Sequence, residues 1–414
     1  MRRIELQSAQ PGQRLGRAIL DLNGDVLLRE GVELTASFIE SLKRKGFSSL
    51  VIDDDLTRGI DIPEIVPQTV RRQAIAKVAA AFDAAGAVAR EFRSASPEVV
   101  WDRMSRRSAV AGLSSLNFER DLLPVAATLI ENVLTPPTLD GLNAVLMHDP
   151  ASFEHSVNVC VIAIKIGQLL SLSVNRLRQL ALGCLLHDIG KVFVPREILT
   201  KRGRLSPAER LQVQSHTYLG YRLLRATVTT DLLAHHVAWQ HHERQDGLGY
   251  PRGLKGSNRA SRSSVDRFRH DRILLLAEIA AVADFHDALT GARPQRPAYP
   301  CETVPPMLSE AAGPALNREI VTKLLTVLPW FPTGTEVVFT AGPHEGRRGV
   351  VSLADPAHLR RPKVRVLEGA TGNLPADVVE IDLTEDRGSE VMSVQRARLE
   401  RALSPKLRLE RTGS

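Results

Sequence analysis

The chain reads as a multi-domain, mainly α-helical protein. A helical bundle carries the chemistry, between a small N-terminal α/β unit and a small C-terminal all-β domain. Three observations predict this. Its 414 residues exceed one ordinary core and call for about two to four domains. From Leu142 to Leu328 apolar residues recur mainly at helical spacing. From Phe331 the texture changes to short β-type runs set between Gly334, Gly342, Gly346 and Gly349. The expected division is an accessory α/β unit (1–55), a connector and helical region (56–140), a helical domain (141–330), a β-domain (331–385) and a basic tail (386–414).

Composition narrows the class. The net charge of +7 fits an anionic ligand but equally a solvated basic surface. Cys160, Cys184 and Cys301 are widely spaced, which argues against a disulfide framework and a Cys-rich zinc site and favours a reducing compartment. The N-terminus turns polar at Glu5, before a signal-peptide core could form. The best apolar run, Val157 to Leu172, is broken by Lys165 and Gln168, short of the ~20 residues a membrane span needs. A cytoplasmic location is expected.

Taking the elements in order, Arg17 to Asp21 and Asp25 to Leu28 flank Leu22-Asn23-Gly24, a hairpin signal. Thr35 or Ser37 could cap a helix reaching Lys45, with Gly46 at its C′ position, and Phe47 to Ile52 resembles a third strand. Gln68 to Ala95 is alanine-rich and helix-favouring. Another helix is expected over Phe118 to Val133, stopped by Pro136 and Pro137; these two helices pack on the next domain or form a dimer stalk. The bundle continues through Leu177–Leu186, Pro207–Leu224, Leu232–His242 and Leu274–Leu289. The tail from Gln395 is basic, by default a frayed solvated helix.

Five histidines and two aspartates lie on or beside these helices: His155, His187-Asp188, His216, His241-His242 and Asp284. Any one alone is more often a hydrogen-bonded core histidine than a ligand. Together among apolar helices, they would be costly to bury without a metal or partners. A mixed His/Asp set suits a dinuclear site for iron, manganese or another divalent ion better than a thiolate zinc site. Two cations bridged by a carboxylate lower the pKa of a shared water and polarise a phosphoryl oxygen. Asp188 is the natural bridge, and Lys191, one turn on, projects over the same face. Beyond His242, Gly247, Gly249 and Pro251 forbid a long helix, so Asp246 and Tyr250 are displayed on a loop at the rim.

His187-Asp188-Ile189-Gly190-Lys191 with His241-His242-Glu243-Arg244-Gln245-Asp246-Gly247-Leu248-Gly249-Tyr250-Pro251 resembles the HD-GYP family, a branch of the HD-domain metal-dependent phosphohydrolases. His155-Ser156-Val157-Asn158-Val159, Lys201, Ser206-Pro207, His216 with Gly220, and Asp284 leading to Asp287-Ala288-Leu289-Thr290 extend the likeness over residues 145–330. The resemblance implies an HD-type bundle and a phosphodiesterase that opens cyclic di-GMP to linear pGpG, with GMP as a further product left open. It also implies seven metal ligands, His155, His187, Asp188, His216, His241, His242 and Asp284, holding two divalent ions, Fe or Mn. Asp188 and Lys191 would be catalytic; Lys191, Asp246, Tyr250, Arg293 and Arg296 would contact substrate.

Departures from the family pattern are specific. Ala151 stands where some members carry a glutamate for a third metal, which favours two. His286 replaces the usual aromatic, and Gln295 the usual tyrosine after Arg293-Pro294. The stretch Gly253 to Asp271 is longer than usual, with Arg259, Arg262, Arg267 and Arg269; it is either a solvated loop or a basic flap over the substrate. His235-His236 lacks the following loop motif and is left out of the ligand set. The alternatives to an active cyclic di-GMP phosphodiesterase are a cyclic di-GMP receptor that signals through flanking domains and a phosphohydrolase for another nucleotide. Homodimerisation and signalling partners stay open; a nucleic acid polymer is not expected.

Overall fold

The computed structural model describes residues 1–21, 25–90, 99, 116–142, 153–201, 203–227, 232–261, 271–291, 296–368 and 378–401. The protein is mainly helical, with a small sheet at each end. In the N-terminal unit, β1 (Arg2–Glu5), β5 (Ser49–Asp53) and β2 (Arg14–Leu15) form an antiparallel sheet, and β3 (Ile19–Leu20) pairs with β4 (Val26–Leu28). The expected turn residues 22–24 lie outside the described residues, but the strands on either side do pair. Thr35 caps α1 (Ala36–Arg44) by accepting from the Phe38 amide, and Gly46 follows its end at φ 86°. The inward faces close a small core around Leu15, Ile39, Leu42 and Leu50.

Helices α2 (Gln68–Ala89) and α3 (Phe118–Leu134) pack on the bundle. Their Ile75, Val78, Leu122 and Leu129 join its core, so these faces are covered within one chain. The centre of the bundle is α4 (Phe153–Leu169), buried on all sides from Ser156 to Gly167, as expected of a helix apolar all round. Around it run α5 (Val174–Leu186), a 3-10 turn (Ile189–Phe193), the short α6 (Arg196–Leu199), α7 (Pro207–Ala226), α8 (Leu232–Gln240) and α9 (Leu275–Thr290), then α10 (Val304–Ala311) and α11 (Arg318–Leu325). Helix α7 starts with a capping box: Ser206 accepts from the Glu209 amide, Glu209 accepts from the Ser206 amide, and Pro207 takes the first position.

The C-terminal sheet has the order β10-β6-β7-β8-β9, built from β6 (Glu336–Ala341), β7 (Arg348–Leu353), β8 (Lys363–Glu368), β9 (Glu380–Asp382) and β10 (Glu390–Ser393). Strand β10 lies beyond the boundary expected at 385. The sequence suggests only a tail there, yet Val391 and Met392 pair with Phe339 and Val338 and cover the β6 edge. The N-terminal unit joins this sheet: Arg3 donates its amide to Gly334 O at 2.7 Å, and the Arg2 guanidinium bridges Asp54 and Glu336. Among the described residues no helix is long and apolar enough to cross a membrane.

Candidate metal centre

Helix ends and helix faces converge on one point. His155 stands in the first turn of α4, His187 is the C-cap of α5 and Asp188 opens the 3-10 turn. His216 lies midway along α7, His241 and His242 directly follow α8, and Asp284 is on α9. The HD pair can sit there because Gly190 lets the 3-10 turn touch α7. A Cβ at Gly190 would lie 1.9 Å from His216 O and 2.5 Å from the Gly220 amide nitrogen.

The Asp188 carboxylate stands between two groups. Its Oδ1 is 3.2 Å from His216 Nε2 and 3.9 Å from His241 Nε2. Its Oδ2 is 3.4 Å from His187 Nε2, 3.7 Å from His155 Nε2 and 2.5 Å from Lys191 Nζ. Asp284 Oδ1 is 3.3 Å from His155 Nε2. Among the described residues, His216, His241 and His242 form one cluster whose ligating atoms lie within 4.8 Å of one another, and His155, His187 and Asp188 form another. The structure thus brings all seven expected ligands together.

The residues fit metal ions on three further counts. First, His187, His216 and His241 each turn Nδ1 to a backbone carbonyl, of Cys184 at 2.7 Å, Val213 at 2.5 Å and Ala238 at 3.0 Å. His155 Nδ1 meets Asp287 Oδ2 at 2.7 Å. All four therefore present Nε2 inward, the orientation that outer partners impose on ligating histidines. Second, His187 Nε2 is buried with no hydrogen-bond partner, an orphan that a cation would satisfy. Third, burial lowers the pKa of His187, His241 and His242, the last to about 3, so these imidazoles keep their lone pairs. Burial would raise the Asp188 pKa, but Lys191 and His187 outweigh it and hold the carboxylate well below its ordinary range. His155 is the exception: burial is overridden by Asp284 and Asp287, which raise it to about 10.

Exposure is one-sided. The side chains of His187, His216 and His241 are at most 1% exposed, whereas His155 is 20%, Asp284 17% and Lys191 27% exposed. An incoming molecule therefore meets the centre from the His155–Asp284–Lys191 side.

The expected substrate residues are placed unequally. The ring of Tyr250 lies 4.7 Å from that of His242 at 31°. Burial, then Asp284 and Asp188, raise its phenol pKa, so it stays a neutral donor. Asp246 is committed within its own loop, accepting from Arg244 Nη2 at 2.6 Å and the Leu248 amide at 2.9 Å. Arg296 donates to the carbonyls of Ala288 and Pro297 and stacks 4.3 Å over Tyr299, which ties it to the end of α9 rather than to the metal ligands. Arg293 and Gln295 lie outside the described residues, as do Ala151, Arg262, Arg267 and Arg269. In the described part of the insertion, the backbones of Lys255 and Arg272 pair in an isolated parallel β-bridge, and Asn258 donates its amide to Gln245 Oε1 at 2.9 Å.

Two residues matter more than the sequence reading allowed. Asp287 orients His155; its signal was its place one turn after Asp284 on the same helix face. Glu243 braces the loop from within. Its buried carboxylate accepts from the Arg252 and Leu254 amides at 2.8 Å each and folds the loop back on itself. The loop is also pinned through Gln245 Nε2 to Glu278 Oε1 at 2.9 Å, while Glu278 Oε2 accepts from Asn317 Nδ2 at 2.9 Å.

Comparison with known proteins finds similarity across the part of the chain that carries this centre. Residues 142–261 match the HD domain family. A cyclic di-GMP phosphodiesterase of Pseudomonas aeruginosa is 31% identical over 60% of this chain and 55% of its own length. A 3'3'-cGAMP-specific phosphodiesterase of Vibrio cholerae is 34% identical over 44% of this chain and 36% of its own. A cyclic di-GMP phosphodiesterase of Thermotoga maritima is 32% identical over 43% and 45%. The chain thus spans about half the length, or less, of these curated relatives.

Proposed function

We propose, from the match of residues 142–261 to the HD domain family, that the chain is a metal-dependent phosphodiesterase hydrolysing cyclic di-GMP to linear pGpG. The observation that carries the reading is the Asp188 carboxylate, with one oxygen toward His216 and His241 and the other toward His155 and His187. His155, His187, Asp188 and Asp284 would hold one divalent ion, and His216, His241 and His242 with Asp188 the other. Iron or manganese suits these nitrogen and oxygen donors. When bound, such ions lower the pKa of a water and offset charge on a phosphoryl group.

The chain's own residues do the rest. Asp287 fixes the His155 ring. Lys191 puts a cation on the open side, where an anionic phosphodiester approaches, and can neutralise a non-bridging oxygen. Tyr250 keeps its proton and offers it as a hydrogen bond beside His242. Glu243 and Gln245 hold the loop that carries Tyr250. Asp246 acts in that loop as a brace.

A second substrate, 3'3'-cGAMP, is favoured by one observation, the 34% identity to the Vibrio cholerae enzyme named for it. Manganese-loaded protein given cyclic di-GMP and 3'3'-cGAMP in parallel decides between them. The reading expects faster release of linear dinucleotide from cyclic di-GMP and no turnover by Asp188→Ala. Faster cleavage of 3'3'-cGAMP would move the assignment to that substrate. Tight binding with no cleavage, by manganese-loaded and by iron-loaded protein alike, would make the chain a receptor.

A further inference from the structure

A second cavity, of about 400 Å³, lies where the N-terminal unit, the bundle and the β-domain meet, and none of the seven proposed ligands lines it. Its walls are largely apolar, with Leu6 and Phe47 from the first unit, and Leu139, Tyr299 and Val304 from the bundle side. Two polar side chains in that wall lack partners. Arg3 is anchored through its backbone to Gly334, yet among the described residues no hydrogen bond or ion pair reaches its guanidinium, and its Nε is buried. His286 is 2% exposed, and its buried Nδ1 has no partner. The other charges there are satisfied: Lys43 by Glu40, Arg398 by Glu5, and Glu336 by Arg2.

A buried donor without an acceptor is costly, and burial pushes the Arg3 pKa down although Cys301 and Asp140, neither in contact with it, act in the opposite sense. An anion within this wall would recover that cost through charge-assisted hydrogen bonds. The volume falls within the range of small-molecule sites, and their usual make-up is the one found here, apolar walls with a few placed polar groups. We propose that this cavity is an effector site for an apolar organic anion, a carboxylate on an aliphatic or aromatic body, held by Arg3 and His286. His286 lies on α9 between Asp284 and Asp287, so an occupant touches the helix that sets two carboxylates of the metal centre. Occupancy should therefore change metal affinity, and metal binding should change affinity for the anion equally.

The test is calorimetry on the full chain with decanoate, decylamine and inorganic phosphate. Decanoate should bind at one per chain, at least about tenfold tighter than either of the others. Arg3→Met should weaken decanoate by about tenfold or more with melting temperature unchanged or raised, because an unpaired charge is removed. Should that variant fail to fold, His286→Phe is expected to weaken decanoate as well. Equal binding of decylamine or phosphate, or decanoate affinity unchanged in the folded variants, would overturn the site. Saturating decanoate should also shift manganese affinity by about twofold or more. Binding without such a shift would overturn the coupling. Both readouts are independent of turnover, so they stand apart from the hydrolase assignment.

Discussion

At the scale of single residues, the centre depends on how each imidazole is held. Asp287 accepts a hydrogen bond from His155 Nδ1 and leaves Nε2 facing the centre. Asp287→Asn keeps the shape and loses the charge. We expect metal affinity to fall by about 10- to 100-fold while the fold survives, read by metal titration alongside circular dichroism. Unchanged affinity would remove Asp287 from the centre. Protons make a second prediction. His242, His241 and His187 have folded pKa values below the ordinary 6.5, so they bind protons more readily when unfolded. Their contribution to stability is present above 6.5 and is lost as pH falls toward about 3. His155 has the opposite sign: its contribution is full below 6.5 and is lost as pH rises through about 10. Chelator-treated protein should therefore melt lower on both sides of a maximum near 6.5. A melting temperature that keeps rising below that pH would contradict the burial of neutral histidines. Residue types were legible in the sequence, since five histidines and two aspartates among apolar helices cannot be idle. Commitments between neighbours were not. Nothing in the order of residues shows that Asp246 grips Arg244, or that Arg296 folds back onto the carbonyl of Ala288.

At the scale of elements, the helices were legible from period and punctuation. Ser206-Pro207 with Glu209 fixes the start of α7, and Thr35 with Gly46 brackets α1. Contacts between elements are harder to read. At Gly190 the close approach is of backbone: α7 lies where a side chain would be. Gly190→Ala must push the 3-10 turn away from α7, at a cost of about 3 kcal/mol. Because that turn carries Asp188 and α7 carries His216, metal binding should weaken in the same variant. Denaturant unfolding and metal titration measure the two losses. A variant as stable as the parent would mean that the turn does not need that contact. Strand β10 escaped the sequence reading because its four residues, Glu390–Ser393, sit in a polar stretch, and only the exposed edge of β6 gives them a place.

At the scale of the whole molecule, the order of parts was readable and their docking was not. Long-range pairs hold the N-terminal unit, the bundle and the β-domain together: Arg2 with Glu336, the Arg3 amide with Gly334 O, and Asp140 Oδ2 with Thr333 Oγ1 at 2.7 Å. None has a local signature, since each joins residues far apart in sequence. They place the two small sheets side by side against the bundle and leave the metal centre on the bundle's own helices. On the proposed function, Asp188 is shared by two ions and hydrolysis depends on them. The direct measurement is metal content of anaerobically purified protein together with its turnover of cyclic di-GMP, for the parent and Asp188→Asn. We expect two equivalents of iron or manganese per chain and release of linear pGpG by the parent, with both lost in the variant. Turnover of cyclic di-GMP that survives metal stripping or the Asp188→Asn substitution would contradict it.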